Sequence, residues 1–261
     1  NNDFTPVNIG ITDVLVDTPS NNFGTINPLS TLGASITIEE GNLYYLMADD
    51  REVRGTFAMY PGTKWYWEYY NMAGPHTDYA MPGIANPTDT NVIYSSSSDG
   101  VCYYASNGYK YVGSAGSSAY GATFTEGDII GMALNLVDDE ITYYKNGVSQ
   151  GAITGIPTPA LWVAAITNPA TSAGVFNFGQ DSSFSGNVTA QGNQDENDIG
   201  DFYYTPPAGF LAPCTSNLAD PSIALPGEHF NTVLYTGNSS TNAITGVGFQ
   251  PDFTWIKGRN V

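Results

Sequence analysis

The sequence predicts an antiparallel all-β fold, and three features carry that expectation. Charged residues make up only 12% of 261 residues, while Gly 29, Pro 16 and Tyr 18 describe a turn-rich, aromatic chain; an average globular domain has roughly a quarter of its residues charged. Within 127–153, Ile130, Met132, Leu134 and Leu136 alternate with Ile129, Gly131, Ala133 and Asn135, the period-2 pattern of a strand with one buried face. The pair Asn146-Gly147, between Tyr143-Tyr144-Lys145 and Val148, supplies the two positive-φ residues of a type I′ hairpin turn. Three strands follow from this local chemistry, the first with its larger side chains inward.

Taken in order, residues 1–34 read as an extended lead-in with edge strands, whose apolar bursts at 7–11 and 14–16 are broken by Asp-Thr-Pro, Ser-Asn-Asn and Asn-Pro turn signals. From residue 35 onward the strands read as an antiparallel meander. Ile36-Thr37-Ile38 and 42–46 flank Glu39-Glu40-Gly41 as a hairpin, and a strand over 53–59 ends before Tyr60-Pro61-Gly62. In Lys64-Trp65-Tyr66-Trp67-Glu68-Tyr69-Tyr70, Glu68 sets the facing, because an unpaired carboxylate is rarely buried. Trp65, Trp67 and Tyr69 then face the core. Tyr66 and Tyr70 share the outer face with Glu68, where they either form a stacking platform for sugars or cover a neighbouring loop.

Short strands are predicted at 83–85, 92–94, 101–105 and 109–112, with loops at 71–79, 85–90, 95–100 and 106–108 and a Gly/Ser/Ala loop over 113–120. After 153, strands at 161–167 and 175–178 close the sandwich. Residues 185–228 read as a polar, Pro-rich linker, acidic at Asp195, Glu196 and Asp198 and stiffened by Thr205-Pro206-Pro207 and by 221–227. Strand-like runs at 230–236, 245–249 and 253–256 make 229–261 the beginning of a second β domain that this sequence does not complete, so an excerpt of a longer polypeptide is expected.

The net charge is -18, and the seven basic residues are scattered without a stripe. Phosphate backbones and anionic membrane surfaces would approach against a repulsive field, which argues against nucleic-acid and membrane partners. No apolar run approaches the roughly 18 residues of a membrane helix. Cys102 and Cys214 do not make a disulfide framework and are expected to be free.

Catalytic chemistry finds little support. The histidines are His76 and His229, no G-x-S-x-G elbow exists, and His76 beside Asp78 in a Gly-Pro-His-Thr-Asp loop reads as solvated rather than as a base. A glycosidase needs two carboxylates set across a scissile bond, and Asp138-Asp139-Glu140 is consecutive within a turn. Calcium would suit oxygen-rich loops such as Asp49-Asp50-Glu52, Asp138-Asp139-Glu140 or Asp195-Glu196-Asp198-Asp201, but none has EF-hand spacing. The expectation is a non-enzyme without a cofactor, calcium being a weak alternative.

Trp65-Tyr66-Trp67-Glu68, Gly83-Ile84, Gly127-Asp128-Ile129-Ile130-Gly131-Met132-Ala133-Leu134, Tyr143-Tyr144-Lys145-Asn146-Gly147-Val148 and Val175-Phe176-Asn177-Phe178-Gly179, in this order, resemble a SPRY domain over about 35–184. That resemblance implies a two-sheet antiparallel β-sandwich of jelly-roll type. Two positions depart from it: Asn135 stands where SPRY sequences usually carry Asp, and the turn Val137-Asp138-Asp139-Glu140 lacks the usual Gly.

The flanks Val16-Asp17-Thr18-Pro19-Ser20-Asn21-Asn22-Phe23, Asp201-Phe202-Tyr203-Tyr204-Thr205-Pro206-Pro207-Ala208-Gly209-Phe210 with Cys214, Val233-Leu234-Tyr235-Thr236-Gly237 and Gly248-Phe249-Gln250-Pro251-Asp252-Phe253 resemble SPRY-containing virion structural proteins of tailed phages. This resemblance implies a fibre, appendage or decoration subunit on the exposed, extracellular surface of a particle, homo-oligomeric and in contact with other virion proteins or a host-surface glycan. A glycan-binding lectin-like module is the alternative, with a jelly-roll polysaccharide hydrolase behind it. SPRY surfaces are built from variable loops, so no site residue transfers by motif. The expected binding loops are 71–79, 106–120 and 166–174. The ligand candidates are Tyr66, Tyr70, Tyr109 and Tyr111 for stacking, with His76, Asp78 and Asn168 for hydrogen bonds.

Overall fold

The computed structural model describes residues 16–33, 35–72, 78–96, 98–220 and 222–258; the apolar bursts at 7–11 and 14–15 and His76 lie outside them. Among the described residues, fourteen strands, numbered in chain order, build two sheets of seven. The first runs β1 (Ile26–Leu32), β4 (Arg51–Gly55), β13 (Val163–Asn168), β6 (Met81–Ala85), β7 (Val101–Tyr103), β8 (Tyr109–Val112), β9 (Ser117–Ala119). The second runs β12 (Val148–Thr154), β11 (Glu140–Lys145), β10 (Ile129–Asn135), β5 (Lys64–Asn71), β14 (Ser172–Asn177), β3 (Tyr44–Met47), β2 (Ile36–Glu39). Every neighbouring pair is antiparallel, and the result is the two-sheet antiparallel β-sandwich that the sequence led us to expect.

The β5–β10 register shows how alternation builds the core. Trp65, Trp67 and Tyr69 stand opposite Leu134, Met132 and Ile130, and all six are buried in the central cluster. The other sheet contributes Val53, Ile84, Val101, Tyr103 and Ile166 to the same cluster. Fully burying each Ile, Val, Leu or Met stabilises the fold by about 1.5–3 kcal/mol. The β11–β12 hairpin turns on Asn146 at φ 49° and Gly147 at φ 78°, as type I′ requires.

The acidic turn between β10 and β11 is organised by Asn135. Its Oδ1 accepts the amides of Val137 and Asp138, while its Nδ2 donates to Asp138 at 2.7 Å and to Glu140 at 3.1 Å. An aspartate at 135 would face two carboxylates with no donor to offer. Asn135 and the Gly-free turn therefore belong together, with Asp139 taking the left-handed conformation at φ 54°.

Several expected elements differ. Residues 92–94 form turns rather than a strand, because they lie across the outer face of the first sheet instead of within it. The strand expected at 53–59 is β4, which ends at Gly55, and Met59 makes only an isolated bridge to Trp162. The 113–120 loop contains a 3-10 turn (Gly113–Ala115) and edge strand β9.

The largest correction concerns the linker. Residues up to Asn217 belong to the first compact unit, and Phe202, Ala212 and Cys214 are buried with Tyr66 and Ala133 on the outer face of the second sheet. The Gly24 amide donates to Pro213 O at 2.8 Å, and the Thr215 amide to Asn22 O at 3.0 Å, so the lead-in and the supposed linker bind each other. Cys102 and Cys214 are both free and buried.

Leu218–Val261 is a separate unit. Its described residues hold a 3-10 turn (Pro226–Glu228) and no strand, so the runs at 230–236, 245–249 and 253–256 do not form the expected sheet. An isolated hairpin is marginal in water without a third strand or a packed face. Phe230, Leu234, Phe253 and Trp255 are exposed accordingly.

Candidate functional site

The outer face of the first sheet carries apolar Met81, Ala85, Cys102, Val163 and Ala165 beside the charged pair Glu52 and Arg54, all buried. Residues 86–100 cover them. Arg54 Nε donates to Glu52 at 2.6 Å, and its terminal nitrogens donate to the carbonyls of Asp89 (2.8 Å), Pro87 (3.3 Å) and Asn91 (3.3 Å). The second Glu52 oxygen accepts the Ile93 amide at 2.6 Å. Burial pushes the Glu52 carboxyl up to about 7, against the pull of Arg54. This pair clamps the crossing segment and seats Ile93 in the apolar patch.

Beside the clamp lies a row of half-buried tyrosine rings. Tyr79 and Tyr104 have centroids 6.3 Å apart, Tyr104 and Tyr111 6.4 Å, and Tyr111 and Tyr94 6.3 Å. Tyr94, Tyr104 and Tyr111 pack down onto the Met81, Ile93 and Cys102 cluster. At one end of the row the Tyr94 hydroxyl donates to the Asp50 carboxylate. Burial, reinforced by Asp50, holds the Tyr94 hydroxyl well above its ordinary range, and burial with Tyr79, Tyr111 and Asp78 nearby raises that of Tyr104. Tyr109, 38% exposed, follows two positions before Tyr111 on the same strand face.

The register explains why these residues meet. Thr167 stands opposite both Glu52 and Met81, the Ala105 amide donates to Ala80 O, and the Tyr104 amide to Tyr109 O. The starts of β4, β6 and β8 and the ends of β13 and β7 therefore share one end of the sheet. The turns at 106–108 and 169–171 open there, whereas the 113–116 turn lies at the far end of β8.

The ligand candidates separate accordingly. Tyr109, Tyr111 and the exposed Asp78 belong to this region. Tyr66 is 1% exposed and packs edge-on against Phe202 at 5.2 Å, so it is no stacking platform. Tyr70 is half-buried and stacked on Phe184 at 5.6 Å, covering a neighbouring segment. Asn168 is buried: its Nδ2 donates to the Met47 and Ala170 carbonyls, and its Oδ1 accepts the Arg51 amide. It holds a turn and offers nothing to a ligand. His76 lies outside the described residues.

The facing inferred from Glu68 is right, but its exposure is not. Glu68 is fully buried and accepts four donors: Tyr66 hydroxyl (3.1 Å), Tyr204 amide (2.8 Å), Asn177 Nδ2 (3.1 Å) and Tyr203 amide (2.8 Å). Burial pushes it up to about 7 against those donors. Beside it, Tyr66, Tyr144, Gly147, Tyr204, Thr205 and Pro207 line a cleft of about 180 Å³, too small for a drug-sized ligand.

The acidic loops are engaged in turn formation. Asp195 accepts the amides of Asn197, Ile199 and Ala212 and the Asn217 side chain; Glu52 faces Arg54, while Asp49 accepts from Thr171. Among the described residues no three His, Cys, Asp or Glu side chains group as metal ligands, and no helix is long and apolar enough to cross a membrane.

Comparison with known proteins places this architecture. Residues 64–181 match the family model of the SPRY domain. This stretch has a SPRY-like fold. The SPRY domain of human HERC1 shares its fold, with a TM-score of 0.51 and 16% identity, covering 58% of this chain and 96% of that one. Ran-binding protein 9 of Xenopus tropicalis is 37% identical over 79 residues, and the Ran-binding proteins 9/10 homolog of Drosophila melanogaster 35% over 80. Each alignment covers 30% of this chain but only 14% and 8% of those proteins. Residues 225–261 match a second family, a domain of unknown function (DUF7483).

Proposed function

We propose that this chain is a non-enzymatic binding module whose SPRY sandwich presents the tyrosine row to a macromolecular partner. The observation that carries the reading is the partly exposed aromatic row at the turn-bearing end of a sheet clamped through Glu52 and Arg54. Aromatic side chains supply large contact area at low entropic cost, and rigid display lowers the cost of association. The turns at 106–108 and 169–171 open at that end, and among the described residues no nucleophile–base pair accompanies the row.

The context we infer is a fibre, appendage or decoration subunit on the surface of a tailed-phage particle, contacting other virion proteins or a host glycan. It rests on the flank motifs around 16–23, 201–214 and 233–253; the relatives named above are Ran-binding proteins and speak only for the sandwich. No cofactor is required for this role. Mass spectrometry of purified particles is expected to detect the polypeptide, and its absence from particles would remove the structural-protein reading while leaving the binding module. A glycan array probed with the full chain tests the lectin alternative.

A further inference from the structure

We propose that the tyrosine row docks an extended, arginine-bearing segment of a partner protein. The proposal rests on the binding-module reading and names the chemistry of the partner.

The first argument is spacing. Successive rings along Tyr79, Tyr104, Tyr111 and Tyr94 are 6.3, 6.4 and 6.3 Å apart. An extended chain rises about 3.3 Å per residue, so side chains on one of its faces recur every roughly 6.6 Å. The ring spacing thus matches the side-chain repeat of an extended chain, and the rings, inclined to one another by 48°, 66° and 74°, offer it a mixture of faces and edges.

Charge is the second argument. The Asp50 carboxylate accepts from Tyr94 at one end, and Asp78 is exposed beside Tyr104 toward the other. Between Lys64 and Lys110 the sequence holds neither Lys nor Arg. Neighbouring cations are otherwise employed: Arg54 is buried in its clamp, Arg51 donates to Asp50 O, and Lys110 lies 5.8 Å over the Tyr120 ring, on the opposite side of β8 from Tyr111. With a net charge of -18, the face attracts cations. Tyrosine faces bind cations through their quadrupole, and guanidinium stacks on rings better than ammonium does.

The test uses fluorescence anisotropy of a labelled peptide of alternating arginine and serine against the full chain, with lysine–serine and glutamate–serine peptides beside it. The arginine peptide is expected to bind best and the glutamate peptide not at all. Replacing both Tyr104→Ala and Tyr111→Ala leaves the net charge unchanged and is expected to weaken binding about tenfold, from two lost ring contacts. Tyr104→Phe with Tyr111→Phe keeps the rings and is expected to preserve affinity, which also controls for folding. Affinity unchanged in the alanine pair, or no binding by the arginine peptide, overturns the proposal. If a glycan instead binds through the same tyrosines, the cationic partner is wrong and the binding-module reading stands; if neither ligand binds the folded protein, both fall.

Discussion

Asn177 stands directly opposite Glu68 across β14 and β5, and its amide donates to the Glu68 carboxylate at 3.1 Å. The same carboxylate accepts the amides of Tyr203 and Tyr204, so one cross-strand pair fastens a distant segment onto the second sheet. Glu52 does the same on the first sheet, accepting the Ile93 amide while its partner Arg54 gathers three carbonyls. Each outer face is covered by a loop held through a buried carboxylate.

Glu68→Gln places an NH2 group against two donors whichever way the amide turns. A loss of about 2–4 kcal/mol is expected from unsatisfied buried groups. Urea unfolding measures it, and limited proteolysis is expected to cut first within 199–214. A stability within experimental error of the parent would refute the latch.

Arg54→Met leaves Glu52 buried without its partner, for which a cost of about 3–5 kcal/mol is typical. Hydrogen exchange should show the Ile93 amide losing protection before the β13 amides do. Uniform loss across the sheet would argue against a local clamp.

The pH dependence has a definite sign. Glu68 rises from an ordinary value of 4.5 to about 7 on folding, so the folded state binds the proton more tightly. Its stabilising contribution is full below about pH 4.5 and is lost as the pH rises through about 7. The stability gap between the parent and Glu68→Gln is therefore expected to shrink from about pH 5 to about pH 8. A gap that widens over that range contradicts the assignment.

Asn135→Asp removes the donor shared by Asp138 and Glu140 and adds a third negative charge. The expected cost is about 1–3 kcal/mol near neutral pH. Thermal melts of the variant beside the parent check it.

Gly131 faces Tyr66 so closely that an added Cβ would lie 2.6 Å from its hydroxyl. Gly131→Ala is expected to cost about 1–3 kcal/mol through overpacking and to shift the Tyr66 hydroxyl off Glu68. Tyr109→Ala, on the exposed face, is expected to change stability by no more than about 0.5 kcal/mol.

Much of the sandwich is legible in the sequence because alternation and turn chemistry are local. Trp65, Trp67 and Tyr69 against Ile130, Met132 and Leu134 follow from period 2 alone, and Asn146-Gly147 announces its own turn. What escapes is long-range polar pairing. The buried state of Glu68 depends on Asn177, Tyr203 and Tyr204, more than a hundred residues away. The aromatic run Phe202-Tyr203-Tyr204 inside an otherwise polar segment was the available sign that 185–217 docks rather than links. Likewise Glu52 and Arg54, two apart on one strand face, were the local mark of a clamp, whereas the meeting of Tyr79, Tyr94, Tyr104 and Tyr111 requires the folded register.

The binding role of the tyrosine row is tested most directly by nuclear magnetic resonance of the full chain with 13C-labelled tyrosine rings, titrated with the arginine–serine peptide. The account predicts saturable shifts at Tyr79, Tyr94, Tyr104, Tyr109 and Tyr111, with the buried rings of Tyr45, Tyr69 and Tyr143 unmoved. Shifts absent from the row, or spread evenly over all tyrosines, would contradict it.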